Sequence, residues 1–141
     1  MTEARRSDSL SSLFGVSAET RGITVRVHVS YLPEQSEPDR GRWWWAYHIR
    51  IENDSPMTVQ LLTRHWIITD GRGARHSVEG EGVVGDKPVV LPGASYDYVS
   101  GVPLATPTGS MQGSYRMLAE DGRLFDVTIP KFALVTSAVA E

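Results

Sequence analysis

The stretch Gly80-Glu81-Gly82-Val83-Val84-Gly85 spells G-x-G-x-x-G, and Lys87 follows two residues later. In a dinucleotide site, such glycines let a tight turn bring a helix N-terminus onto a pyrophosphate. An acid about 20 residues further on then holds the ribose. Here Pro88 and Pro92 come next. Proline lacks the amide donor and clashes with the preceding turn, so no ordinary helix starts there. The Walker variant fails as well, because Lys87 is not in a G-K-[ST] run. What the stretch can still offer is an anion nest of backbone N–H groups over Gly80, Glu81, Gly82, Val83, Val84 and Gly85, with Lys87 as a cation. The competing reading is that the three glycines satisfy turn or bulge dihedrals, and the proline-rich surroundings favour it.

Other reactive residues are sparse. His28, His48, His65 and His76 are the four imidazoles. No two stand at i, i+2 or i, i+4 and no carboxylate pair flanks them, so no metal site is assigned. No G-x-S-x-G elbow accompanies the serines. Glu52 and Glu81 read as solvated carboxylates on a strand face and in a loop. The expectation is a chain with no catalytic residue and no cofactor. One cluster asks for a different function. Trp43-Trp44-Trp45 places aromatics on both faces of a strand at its loop end, beside Arg40 and Arg42. Exposed Trp next to Arg is the composition of a docking hot spot, so Trp43, Trp44 and Arg42 are candidate partner-binding residues. Packing under the adjacent loop is the alternative.

The elements that carry these residues are strands. Ile23, Val25, Val27 and Val29 alternate with Thr24, Arg26, His28 and Ser30, a period of two with β-branched residues on one face. Leu32 to Arg42 holds Pro33, Pro38 and Gly41 and reads as a loop. Trp43 to Asn53 alternates again. Met57 to Asp70 has apolar residues on both faces and heavy β-branching, which predicts a central strand with a bulge that switches faces. Asp70-Gly71-Arg72-Gly73 predicts a hairpin turn, with Ala74 to Glu79 returning. Ser95 to Ser100, Ser110 to Leu118, Gly122 to Ile129 and a short Phe132 to Val135 follow. Gly101 to Gly109 reads as a long connection. Seven to eight short strands without a helix describe a β-sandwich or a small barrel, and an all-β, immunoglobulin-like sandwich is the expectation. The expected domain spans 15–136, between a disordered tail at 1–14 and a short one at 137–141.

Composition narrows the functions. The 141 residues carry 14 Lys and Arg against 17 Asp and Glu, scattered along the chain, for a net charge of −3. No basic block can grip a phosphate backbone, which argues against nucleic acid as a partner. The absence of cysteine excludes disulfides and thiolate chemistry and fits a reducing compartment. Ser7 to Ser12 is polar where a signal peptide needs an apolar core. No apolar run approaches the roughly 18 residues of a membrane span. The expected location is the cytoplasm.

Many blocks in one order resemble the ApaG family over nearly all of Thr24 to Leu134. They are Pro33-Glu34-Gln35-Ser36, Tyr47 with Ile49 to Asn53, Leu61 to Asp70, Gly80 to Pro88, Leu91-Pro92-Gly93, Ser100-Gly101, Gly109 to Gly113 and Phe125 to Phe132. The resemblance implies a fibronectin type III-like β-sandwich with no settled enzymatic activity. The family name reflects genes beside a diadenosine tetraphosphate hydrolase, and bacterial members are linked to cobalt and magnesium tolerance. Related domains in a eukaryotic F-box protein and a polymerase-associated protein look like interaction modules. The family's proposed pyrophosphate site falls on Gly80, Gly82 and Gly85. The triple Trp departs from a usual Tyr-Phe-like pair. The expectation is therefore a non-catalytic module that docks a protein partner through the sandwich surface. The alternative is a binder, or weak hydrolase, of pyrophosphate-containing nucleotides, or a binder of divalent cations, through Gly80–Gly85.

Overall fold

The structure, a computed structural model, describes residues 15–136. The tails expected at 1–14 and 137–141 lie outside the described residues. One sheet runs β1 (Val16–Thr20), β2 (Ile23–Tyr31), β3 (Trp43–Asn53) and β7 (Ser95–Leu104) in that order. The other has the order β5-β4-β8-β9, with β4 at Val59–Asp70, β5 at Arg75–Glu81, β8 at Thr108–Ala119 and β9 at Leu124–Val135. A two-residue β6 (Val89–Val90) also pairs with β4. Every pairing is antiparallel. This is the all-β, immunoglobulin-like sandwich that the alternation predicts.

Period-two alternation does the sorting, because successive side chains point to opposite sheet faces. In β3, Trp45, Tyr47, Ile49 and Ile51 are buried between the sheets, while Trp44, Ala46, His48 and Arg50 are half-buried on the outer face. From the other sheet, Leu61, Trp66, Tyr115, Met117 and Ile129 meet them. Three rings, Tyr47, Trp66 and Phe132, contact one another with centroids 5.4–6.0 Å apart. Such tilted and edge-on pairs stabilise by about 0.5–1.5 kcal/mol beyond area burial. Trp45 is fully buried, and its indole Nε1 donates to the Val135 carbonyl at 2.9 Å.

The expected face switch in β4 is present. Val59 and Leu61 are buried before it and Trp66 after it, and the register with β8 slips between Leu61 and Thr63. A bulge inserts one residue and so changes which parity points inward. That change turns Arg64 toward the same face as Trp66, a consequence developed below.

Four boundaries differ from the sequence reading. β7 continues through Gly101 and Pro103 to Leu104, so the expected long connection shrinks to Ala105–Pro107. Pro103 is tolerated because β7 is an edge strand, where a missing N–H removes no ladder bond. β9 runs unbroken through Pro130, because a register shift opposite Met111 and Gly113 places the proline in a bulge. β1 and β6 are additional strands, too short for periodicity to reveal. No helix among the described residues is long and apolar enough to cross a membrane.

Candidate functional site

The G-x-G-x-x-G motif straddles the end of β5 and the turn after it. Gly80 and Glu81 are strand residues, opposite Arg64 and Thr63 of β4. Gly82 donates its N–H to the Leu62 carbonyl at 2.8 Å. Val83 and Asp86 then exchange both backbone hydrogen bonds, at 2.8 and 2.9 Å, around Val84 (φ +42°) and Gly85 (φ +81°). Two central residues at positive φ are the type I′ pattern. Such a conformation is strained for a β-branched valine, and the Val84 side chain is 58% exposed.

Two of the glycines are required by what lies against them. A Cβ on Gly80 would stand 2.8–2.9 Å from three guanidinium atoms of Arg64. A Cβ on Gly82 would stand 2.2 Å from the Asp86 carbonyl oxygen. The motif therefore has a complete account in packing and turn geometry. Of the candidate anion nest, the amides of Gly82 and Val83 are spent within the chain. Lys87 Nζ lies 2.5 Å from Glu81 Oε1. That contact holds the Glu81 carboxyl below its ordinary range, through the hydrogen bond first and the charge second.

Sequence reasoning passed over Arg64, and Arg64 organises this end of the molecule. Its Nη1 donates to the carbonyls of Glu81 (3.0 Å) and Gly82 (2.8 Å), clamping the loop to the sandwich. Around it the two sheets enclose a cleft of about 290 Å³, lined by Tyr47, Arg64, Trp66, Tyr98, Ser100 and the Glu81–Gly85 segment. The Ser100 and Tyr47 side chains line the same wall of it. The Tyr98 and Tyr115 hydroxyls bond each other at 2.5 Å. Burial pushes the phenols of Tyr47, Tyr98 and Tyr115 up, most strongly for the last two, while the Arg64 charge pulls all three down. The sequence signal was a cation at inward parity two residues before a core Trp. It becomes readable only once the bulge at Leu62 is placed.

The histidines are dispersed. His28 and His48 face each other across β2 and β3, and His48 Nε2 lies 2.8 Å from Asp97 Oδ1. His65 Nε2 lies 2.7 Å from Ser77 Oγ and 3.8 Å from Glu79 Oε2. Serine and carboxylate share one ring nitrogen, so this trio lacks the base–orienter arrangement of a hydrolase triad. His76 is exposed, opposite Ile68. Among the described residues, no three His, Asp or Glu side chains are grouped so as to hold a metal ion.

The triple Trp divides as alternation requires. Trp45 is buried, Trp43 is half-buried against the core edge, and Trp44 is half-buried on the outer face. Trp44 pairs with Pro103, and its ring lies 3.9 Å from where a Cβ on Gly101 would stand. The preceding loop fixes its backbone. Trp44 N–H donates to Ser36 Oγ at 2.9 Å, and Leu32 N–H donates to the Trp44 carbonyl at 2.9 Å. Arg42 is exposed beside it.

Fold and site together define a small two-sheet β-sandwich whose glycine motif is braced by an inward arginine. The chain belongs to the ApaG family: residues 33–119 match the ApaG domain. It is 55% identical over 117 residues to Protein ApaG of Afipia carboxidovorans, covering 83% of this chain and 90% of that one. Protein ApaG of Pseudomonas paraeruginosa is 54% identical over 112 residues, covering 79% and 89%. Among solved structures, a protein described as ApaA from Bordetella pertussis superposes with a TM-score of 0.80 at 41% identity, over 87% of this chain and 98% of that one. The C-terminal domain of wzt shares the fold alone, at 13% identity and a TM-score of 0.52, over 86% and 77%.

Proposed function

We propose that the protein is a non-catalytic docking module that binds a cytoplasmic protein partner through the outer face of β3 and β7. The observation that carries this reading is the apolar strip on that face. Trp44 leans over Gly101, Pro103 is exposed beside it, and Val99, 59% exposed, continues the strip along the edge strand. A half-buried Trp on a rigid strand is a pre-organised anchor, because little side-chain entropy is lost when a partner covers it. Arg42 supplies a cation at the rim, and Trp43 underlies the strip from the core side. The pyrophosphate alternative is less well supported, since intrachain partners occupy Lys87 and the amides of Gly82, Val83 and Asp86.

The test is site-specific photocrosslinking in a bacterium that expresses the chain, with the photoreactive residue at Val99. A control carries it at Val78, which is also exposed but lies on β5 of the other sheet. A discrete adduct from Val99, absent from Val78 and lost with Trp44→Ala, supports docking at this face. Equal crosslinking from both positions counts against it.

A further inference from the structure

The cleft between the sheets carries an inference that goes beyond docking and does not depend on it. Inner sandwich faces are apolar as a rule, because a charge taken out of water costs several kcal/mol unless it is paired. Arg64 nevertheless points inward, beside Trp66 and under the Gly82–Gly85 turn. Among the described residues, only Nη1 has protein acceptors, the two carbonyls of Glu81 and Gly82. Among the described residues, Nε and Nη2 have none, and neither is sealed from solvent. Those two atoms form one edge of the planar guanidinium, the fork that matches a carboxylate bidentately.

The surroundings add donors rather than counter-ions. The Ser100 and Tyr47 hydroxyls line the opposite wall, where either can turn its O–H to an incoming oxygen. Tyr98 and Tyr115 satisfy one another behind them. Charge decides the class of anion. The Glu81 carboxylate at the rim is neutralised by Lys87. One guanidinium charge is left for the ligand, enough for a monoanion and too little for a pyrophosphate. Volume decides its size. At about 290 Å³ the cleft falls at the lower end of small-molecule sites. Val83, Val84 and the edges of Trp66 and Tyr98 offer apolar contact to the rest of such a molecule.

We infer that this cleft is a binding site for a small free carboxylate with a flat apolar body, its carboxylate on the Nε–Nη2 edge of Arg64 and within reach of Tyr47 and Ser100. The strained, exposed Val84 stands at the mouth, where the type I′ turn holds it over the entering molecule. Benzoate is the probe. Amide and indole shifts of the labelled full chain would be followed during titration with benzoate, benzamide, inorganic phosphate and pyrophosphate, and with a peptide ending in a free carboxylate.

Saturable benzoate shifts confined to Val83–Gly85, Tyr98, Ser100 and the Trp66 indole are expected, with benzamide silent. Arg64→Gln should weaken benzoate by about tenfold or more, the scale of a lost charge-assisted fork. Because Arg64 also clamps the loop, Tyr47→Phe serves as a second variant that keeps the ring. It should weaken benzoate by about threefold or more, as the loss of one hydroxyl contact implies. No saturable shift with benzoate overturns the proposal, and so does equal binding of benzamide. A peptide that binds more tightly than benzoate at the same amides reassigns the cleft to protein recognition. Pyrophosphate that binds more tightly than benzoate and survives Arg64→Gln returns the site to the loop amides.

Discussion

Alanine at each motif glycine separates a structural loop from a phosphate nest, and the three substitutions should not cost the same. At Gly82 the added methyl would stand 2.2 Å from the Asp86 carbonyl oxygen, with φ at +64°. That oxygen is backbone, so relief requires the turn to open and its two Val83–Asp86 hydrogen bonds to be lost. At about 1 kcal/mol per bond, plus about 1 kcal/mol for a left-handed alanine, the cost is about 3 kcal/mol. At Gly80 the methyl meets the end of the Arg64 side chain. The guanidinium can swing away, but it forfeits its bonds to the Glu81 and Gly82 carbonyls. That loss is about 2 kcal/mol at a half-buried position, and relief from glycine's entropy returns roughly 0.5–1 kcal/mol. At Gly85 nothing lies within 4 Å, so only the positive φ matters, about 1 kcal/mol. Urea unfolding at a shared m-value reads these as midpoint shifts. The order should be Gly82 well ahead, then Gly80 and Gly85. A double-mutant cycle with Arg64→Leu should remove most of the Gly80→Ala cost. Wild-type stability in Gly82→Ala, or an undiminished Gly80→Ala cost without Arg64, refutes the reasoning.

Further predictions follow from the core. Burial holds Tyr47, Tyr98 and Tyr115 protonated above the ordinary phenol value of 10.0. Their stabilisation is therefore complete below pH 10 and is lost at higher pH, as the unfolded chain releases protons that the folded one keeps. The slope should reach up to about 4 kcal/mol per pH unit for three phenols, read by urea midpoints above pH 10. Asn53 is fully buried; its Nδ2 donates to Met57 and Val90 carbonyls and its Oδ1 accepts from Ser55 N–H and Oγ. Asn53→Ala should cost about 3 kcal/mol by urea unfolding, because the buried Val90 carbonyl loses its side-chain donor, the Met57 carbonyl loses one of two, and the Ser55 N–H and hydroxyl lose their acceptor. Trp45→Phe removes the indole donor to the Val135 carbonyl and opens a cavity, and should cost about 2–4 kcal/mol by the same measurement.

The sheet architecture was legible because its signal is local. β2 and β3 alternate strictly, and even the β4 bulge showed as apolar residues on both faces. β7 was cut short because Gly101 and Pro103 read as breakers, a rule that holds for central strands and lapses at an edge. β1, with Val16 and Ala18 as its half-buried face, has too few residues to display a period. The site was harder. The glycine motif drew attention through its letters, yet the reasons for its glycines are Arg64 lying across Gly80 and the Asp86 carbonyl beside Gly82. Both are contacts across a hairpin, which spacing does not encode. Tyr47, Tyr98 and Ser100 come from two strands of one sheet and converge on an arginine of the other. Only the packing of the sheets brings them together. Trp44 was the exception, since alternation alone puts one of three consecutive Trp residues outside.

The docking account stands or falls on Trp44. Once a crosslinked partner is identified and purified, calorimetry should be run with wild type, Trp44→Ala and Val78→Ala. Loss of a central Trp anchor costs about 2 kcal/mol or more, so Trp44→Ala should weaken binding by about thirtyfold or more, while Val78→Ala leaves it unchanged. Unchanged affinity in Trp44→Ala, with the protein folded, would contradict the assignment of this face.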